Sequence, residues 1–298
     1  MTIHFATSSM RRGLAILTMS PLLALPLLAQ NADADLLRNL TRQAPLLRVD
    51  VVALKPSPSR AFEGISAVAA DKEGNIYVLD RPASGDPIIV LNSEGRVLRS
   101  WGKGMFTIPH GIRVDPDGNV WTVDAHTSMV YKFSPEGEKL LEVNVGGVPD
   151  STRDFCGASD IAFGPGGRVF VADGYCNARV IEYDALGKQV RQWGRPGTGP
   201  GEFNVVHGLA VGPQGFLYVA DRENGRVQWF TLEGKFLGQW KFGGQLFSVA
   251  FGPGGRLHPE AKGTAMHAFG EHVLVDDCVT AAKIYLATAL DLCGRKAP

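Results

Sequence analysis

The feature that most limits what this chain can fold into is a repeated spacing, a turn glycine followed six residues later by aspartate. It occurs as Gly74 and Asp80, Gly118 and Asp124, Gly167 and Asp173, and Gly215 and Asp221, with the glycines 44, 49 and 48 residues apart. Each copy opens on an apolar stretch such as GIRV at 111–114, turns at DPDG, and continues with the alternating residues NVWTV at 119–123, which is the pattern of a β-hairpin. Two more short strands follow, MVYKF at 129–133 and KLLEV at 139–143, around the turn SPEG. Four strands in about 45 residues make one propeller blade, and a period of this size belongs to propellers. The 36 glycines fit a chain with many tight turns.

A fifth copy begins with LFSVAFGPGGRL at 246–257 and then departs, because Ala261 stands where the aspartate belongs. The pattern resumes at Gly270 and Asp276, while VTAAKIYLATAL after Cys278 reads as helical rather than stranded. The expected fold is therefore all-β, a propeller of five to six four-stranded blades with six expected and the last irregular. A strand from LLRVDVVAL at 46–54 is available to close the ring. This divides the chain into a signal peptide (1–34), a lead segment (35–63), the propeller (64–277) and a divergent tail (278–298).

Arg11 and Arg12, the apolar stretch at 13–28 and the small residues Ala29, Ala32 and Ala34 form the signal-peptide pattern. Pro21 and Pro26 interrupt a stretch already shorter than the roughly 20 residues that a spanning helix needs. The mature chain is thus expected to be exported, periplasmic or extracellular, and to have no membrane span. Thirty basic and thirty acidic residues leave no net charge, which argues against a nucleic-acid surface. Export permits disulfides, and Cys156, Cys176, Cys278 and Cys293 fit either two bridges or one bridge and two thiols.

Against this background two histidines stand out. His110 and His207 each lie eight residues before the turn glycine of their copy, where the other copies carry Ser66 and Ser159. In an antiparallel blade the first strand starts at the end where the second finishes. Residues just before the first strand and just after the repeated aspartate therefore share one mouth of the channel. Arg81, Tyr175 and Arg222 are of the second kind, so all five residues are expected to converge. Imidazoles from alternate blades facing one channel suit a transition metal, although a catalytic zinc usually takes three protein ligands. A tyrosine acts as base only where positive charge lowers its pKa. The aspartates present in every copy are assigned to bracing the loops, and the recurring Trp101, Trp193, Trp229 and Trp240 to packing between blades. GTGPG at 197–201 is a blade connector rather than a dinucleotide fingerprint, since prolines flank it and no helix follows.

The stretch GEFNVVHGLAVGPQGFLYVADRENGRVQWF at 201–230 resembles an NHL repeat. IPHGI at 108–112, DFCGASD at 154–160, VADGYCNARV at 171–180, VVHGLA at 205–210 and VADRENGRVQ at 219–228 resemble, more narrowly, the peptidyl-α-hydroxyglycine α-amidating lyase family. The resemblance covers roughly residues 60–257. It implies a zinc lyase on a six-bladed propeller, cleaving a C-terminal α-hydroxyglycine to a peptide amide and glyoxylate. On this resemblance His110 and His207 are zinc ligands, Tyr175 is the catalytic base, Arg81 and Arg222 handle the substrate carboxylate and developing charge, and Cys156 is bridged to Cys176. Calcium held by backbone carbonyls is compatible with the same ring, and a monomer acting on a peptide or small molecule with a hydroxyglycine-like end is expected.

The pattern breaks at the third ligand. If Gly270 is the turn glycine of a sixth copy, its histidine register falls on Lys262, with His258, His267 and His272 nearby and His267 the remaining candidate. The alternative function is a non-catalytic NHL propeller that binds a protein or peptide at the same mouth. A lactone hydrolase is less favoured, for want of paired carboxylates in the right register.

Overall fold

The computed structural model describes residues 61–146, 152–242 and 244–251, together with the backbone of the strand Leu257–Lys262; all belong to one structural unit, Leu46–Pro298. Four antiparallel four-stranded sheets follow one another along the chain. The first comprises β1 (Ala67–Ala70), β2 (Ile76–Leu79), β3 (Ile88–Leu91) and β4 (Val97–Trp101). The second comprises β5 (Pro109–Val114), β6 (Val120–Asp124), β7 (Met129–Phe133) and β8 (Lys139–Asn144). The third comprises β9 (Asp160–Gly164), β10 (Arg168–Asp173), β11 (Arg179–Tyr183) and β12 (Gln189–Trp193), and the fourth β13 (Val206–Val211), β14 (Phe216–Asp221), β15 (Arg226–Thr231) and β16 (Phe236–Lys241). A two-stranded sheet, β17 (Gln245–Phe251) and β18 (Leu257–Lys262), opens a fifth blade. The first strands β1, β5, β9, β13 and β17 pack side by side in that order around the channel. This is the expected all-β propeller architecture. Among the described residues no helix is long and apolar enough to cross a membrane.

The register of the fifth blade corrects one expectation. β18 sets Ala261 opposite Leu246, as β14 sets Asp221 opposite Val206. Lys262 therefore ends the second strand of the fifth blade, in the register of Arg81 and Arg222, and does not hold the histidine position of a sixth. The same pairing puts His258 opposite Ala250, near the turn end of the hairpin and away from the mouth where the first strands begin. The signal peptide, the segment 46–54, His267, His272, Cys278, Cys293 and the closure of the ring lie outside the described residues.

Apolar side chains fill the gaps between blades. Ala162, Phe170 and Val180 of the third blade meet Leu209, Leu217, Val219 and Phe230 of the fourth. Trp121, Val123 and Val130 of the second meet Ile161, Val169 and Val171 of the third. Central strands are buried on both faces, so β2 and β3 read as continuous apolar runs, while the outer strands β8 and β12 are largely exposed. Each large side chain buried this way contributes about 1.5–3 kcal/mol of transfer free energy. Trp101 and Trp193 pack against Gly137 and Gly234 in turns of the following blade, and Trp229 lies 4.2 Å from Trp240, so the tryptophans are packing groups.

The repeat residues explain themselves locally. The turn glycines Gly74, Gly118, Gly167 and Gly215 have φ of 83°, 87°, 75° and 74°, a region that costs any residue with a Cβ. Asp80, Asp124, Asp173 and Asp221 are fully buried. Asp80 accepts from the backbone amides of Glu63 and Gly64, Asp124 from those of Ile108, His126 and Thr127, and Asp221 from that of Asn204. These carboxylates brace the loop that enters each inner strand. Asp173 instead accepts from the Arg179 and Asn177 side chains. Burial pushes the Asp173 and Asp221 carboxyls upward despite these donors.

Candidate active site

Three inner strands carry one extra residue opposite their partner at the mouth. In β5 the pairing jumps from Pro109 to Gly111, in β13 from Val206 to Gly208, and in β17 from Leu246 to Ser248. The skipped residues are His110, His207 and Phe247. A bulge of this kind bends the strand and re-aims one side chain. The glycine after each histidine has its own steric reason. A Cβ on Gly111 would lie 2.9 Å from the Ser159 carbonyl oxygen, and one on Gly208 would lie 2.9 Å from that of Phe247.

Those carbonyls hold the imidazoles. His110 Nδ1 lies 2.8 Å from the Ser159 oxygen and His207 Nδ1 lies 2.7 Å from the Phe247 oxygen. A carbonyl only accepts, so Nδ1 carries the proton in both rings and Nε2 presents its lone pair. Both Nε2 atoms reach the Tyr175 hydroxyl, at 2.8 Å from His110 and 3.0 Å from His207. The two imidazole centroids are 5.3 Å apart, and both histidines are buried. A phenol has one proton to donate, so two basic nitrogens around one oxygen form a cluster that a cation stabilises. Imidazole with Nδ1–H pinned to a carbonyl is also the orientation in which histidine binds zinc.

Tyr175 is delivered by the β10–β11 loop. Gly174 lies so close to the Val206 backbone that a Cβ would occupy the space of the Val206 carbonyl. Cys176 is bridged to Cys156, so the residues on both sides of Tyr175 are fixed. Bridging also anchors Phe155, whose ring is 5.2 Å from that of Tyr175 and 6.1 Å from that of His110.

The two arginines take different places. The Arg222 guanidinium lies 5.4 Å from the Tyr175 ring centroid and 5.3 Å from that of Phe247. Arg81 donates to the Pro109 carbonyl at 2.9 Å and lies 5.6 Å from the Phe155 ring, one aromatic side chain removed from Tyr175. All five residues expected at the mouth are at one end of the channel; His110, His207 and Tyr175 are in direct contact, with Arg222 beside them.

Several neighbours went unnoticed in the sequence. Glu223 and His126 occupy the register of Tyr175, two residues after the repeated aspartate. Glu223 accepts from Arg222 Nε at 2.8 Å and from Gln245 at 2.7 Å. Partial burial pushes its carboxyl up, but the Gln245 amide and the Arg222 guanidinium outweigh this and hold it below the usual carboxylate range. His126 Nδ1 lies 3.0 Å from the Asp154 carbonyl oxygen, which ties it to the segment leading into Cys156. Aligning the second position after each aspartate would have found both residues. Beneath the histidines a cavity of about 40 Å³ is lined by Ser66, Ser159, Asp160 and Phe247. Among the described residues no three His, Cys, Asp or Glu side chains cluster as a complete metal site.

Comparison with known proteins bears on this constellation. The NHL repeat family matches residues 155–183 and 203–230. Peptidyl-glycine alpha-amidating monooxygenase A of Xenopus laevis is 41% identical over 190 residues, covering 59% of this chain and 20% of that protein. Peptidyl-alpha-hydroxyglycine alpha-amidating lyase 1 of Drosophila melanogaster is 34% identical over 243 residues, covering 68% of this chain and 45% of that protein. The chain thus spans about a fifth of the first relative and under half of the second. Among solved structures a streptogramin B lyase superposes with a TM-score of 0.54 at 15% identity, covering 70% of this chain and 63% of that one, a likeness of fold. The repeats, the strand order and these relatives make the chain an NHL-repeat β-propeller of the peptidyl-α-hydroxyglycine α-amidating lyase family.

Proposed function

We propose that the chain is an exported, zinc-dependent lyase that cleaves a C-terminal α-hydroxyglycine to leave an amide and glyoxylate. The observation that carries this reading is the meeting of the His110 and His207 Nε2 atoms at the Tyr175 hydroxyl, with each Nδ1–H anchored on a carbonyl. His110 and His207 are the two ligands that the described residues offer, and His267 is the candidate for a third. A zinc ion there would supply a Lewis acid for the substrate hydroxyl.

The remaining chemistry falls to the chain's own residues. Tyr175 takes the proton of the α-hydroxyl, a role general-base catalysis rewards with about 10²- to 10⁴-fold in rate. The oxygen's electron pair forms the aldehyde carbonyl of glyoxylate, the C–N bond breaks, and the nitrogen takes up the proton that Tyr175 removed and departs as the amide. Arg222, whose guanidinium lies 5.4 Å from the Tyr175 ring centroid, favours the anionic form of this base. Together Arg222 and Arg81 provide charge for the substrate carboxylate, with Arg81 acting from behind Phe155. The Cys156–Cys176 bridge supports an oxidising compartment outside the cytosol.

Incubation with an α-hydroxyglycine peptide tests the reading. Glyoxylate should form, stop with chelator, and resume when zinc is returned. Tyr175→Phe should abolish turnover while the circular dichroism spectrum stays that of the wild type. No glyoxylate from the zinc-loaded protein would leave a propeller that binds peptides without cleaving them.

A further inference from the structure

The strands that carry the two histidines are not neighbours, because β9 stands between β5 and β13. We propose that the dipeptide Ser159–Asp160, at the start of β9, is a positioning bracket that sets the spacing and ring orientation of His110 and His207. The inference rests on the reading of these histidines as a shared ligand pair.

The dipeptide reaches both flanking strands. Towards β5, the Ser159 carbonyl accepts His110 Nδ1–H at 2.8 Å, and the Asp160 carboxylate accepts Arg113 Nη2 at 2.8 Å. Towards β13, the Ser159 hydroxyl donates to the Val206 carbonyl at 2.9 Å, and Asp160 accepts the Leu209 amide at 3.0 Å. Val206 and Leu209 enclose His207, so the strand is held on both sides of its bulge. Ser66, in the same register of the first blade, donates to Leu79 of its own hairpin, as Ser159 also donates to Ala172 of its own at 3.3 Å.

The channel shows how unusual the pair is. Arg113 lies three residues after the histidine register, where the other four described blades carry Ala69, Ala162, Ala210 and Ala250. Asp160 is 6% exposed. Ring closure alone does not call for a charged pair at a register that is alanine in the neighbouring blades, since such a pair is often no more stabilising than apolar packing. Fixing two blades at a set distance does call for one. Groups that orient a metal ligand are typically worth ten- to hundred-fold in metal affinity.

Cobalt(II) titration of the metal-free full chain, followed by its visible absorption, tests the bracket. Ser159→Ala and Asp160→Asn should each weaken cobalt binding ten- to hundred-fold and alter the absorption band, while circular dichroism stays that of wild type. A nitrogen-resolved proton spectrum of the metal-free protein gives a second reading, in which the Nδ1–H signals of both His110 and His207 should shift in both variants. Variants that melt earlier yet bind cobalt as wild type, with unmoved Nδ1–H signals, would overturn the bracket and leave a purely structural tie. If wild type binds no cobalt the ligand reading fails, and the Nδ1–H signals alone then decide, shifted in favour of the bracket and unmoved against it.

Discussion

Replacing Arg226 by methionine should cost the fold several kcal/mol, and the size of the effect should depend on pH. The Arg226 side chain is 2% exposed and that of Asp221 is 0% exposed, with Nε and Oδ2 2.6 Å apart. The same guanidinium donates to the carbonyls of Thr198, Gly199 and Glu202 and to the Gln239 side chain. Removing one partner of a buried pair strands the other charge, a loss of about 3–5 kcal/mol. Asp221 keeps donors from Asn204, Asn224 and Gln228, which favours the lower half of that range. Burial already raises the Asp221 carboxyl, and without the guanidinium it rises further. A folded-state value raised above the unfolded one means the native state binds the extra proton, so stability falls as pH rises through that window. The gap between wild type and variant should therefore be widest at neutral pH and narrow on acidification. Urea unfolding at several pH values measures it. A loss below about 1 kcal/mol at neutral pH, well short of the buried-pair cost, or a gap that widens in acid, would refute the reasoning.

Two further outcomes follow from the site. Cys176→Ser should lower stability by about 3 kcal/mol in the chain-entropy account of a loop this size, and by loosening both Phe155 and Tyr175 it should lower kcat as well; wild-type kcat with the bridge removed would show that it braces nothing catalytic. Gly208→Ala places a methyl 2.9 Å from the Phe247 oxygen and the Ser248 Cα, an overpacking cost of about 1–3 kcal/mol. It should weaken metal binding through His207, and unchanged stability together with unchanged metal affinity would contradict the steric account.

Much of the fold was legible because the repeat is written in side chains. The spacing from turn glycine to aspartate gave four blades with the strands where the alternation put them, as β7 at Met129–Phe133 shows. The mouth was legible for the same reason, since antiparallel pairing brings His110, His207 and Tyr175 to one end whatever their identity. Ser159 was not, because its grip on His110 is a backbone carbonyl, which no residue type advertises. The bulges at His110 and His207 were also hidden, since an extra residue does not disturb a short apolar pattern. Phe155 and Phe247 carry no mark in the sequence that sets them apart from other aromatics, although their rings lie against Tyr175 and His207. Counting back from Gly270 puts Lys262 in a sixth blade, whereas its pairing with Gln245 places it in the fifth, and no residue type signals that pairing.

The most direct test of the central claim is X-ray absorption at the zinc edge on the purified chain, paired with zinc content per molecule. Tight zinc with imidazole scattering, lost on His110→Ala or His207→Ala while the propeller stays folded, is the result that shared ligation predicts. Zinc that persists undiminished in the His110→Ala, His207→Ala double variant, or its absence from wild type supplied with the metal, would contradict it.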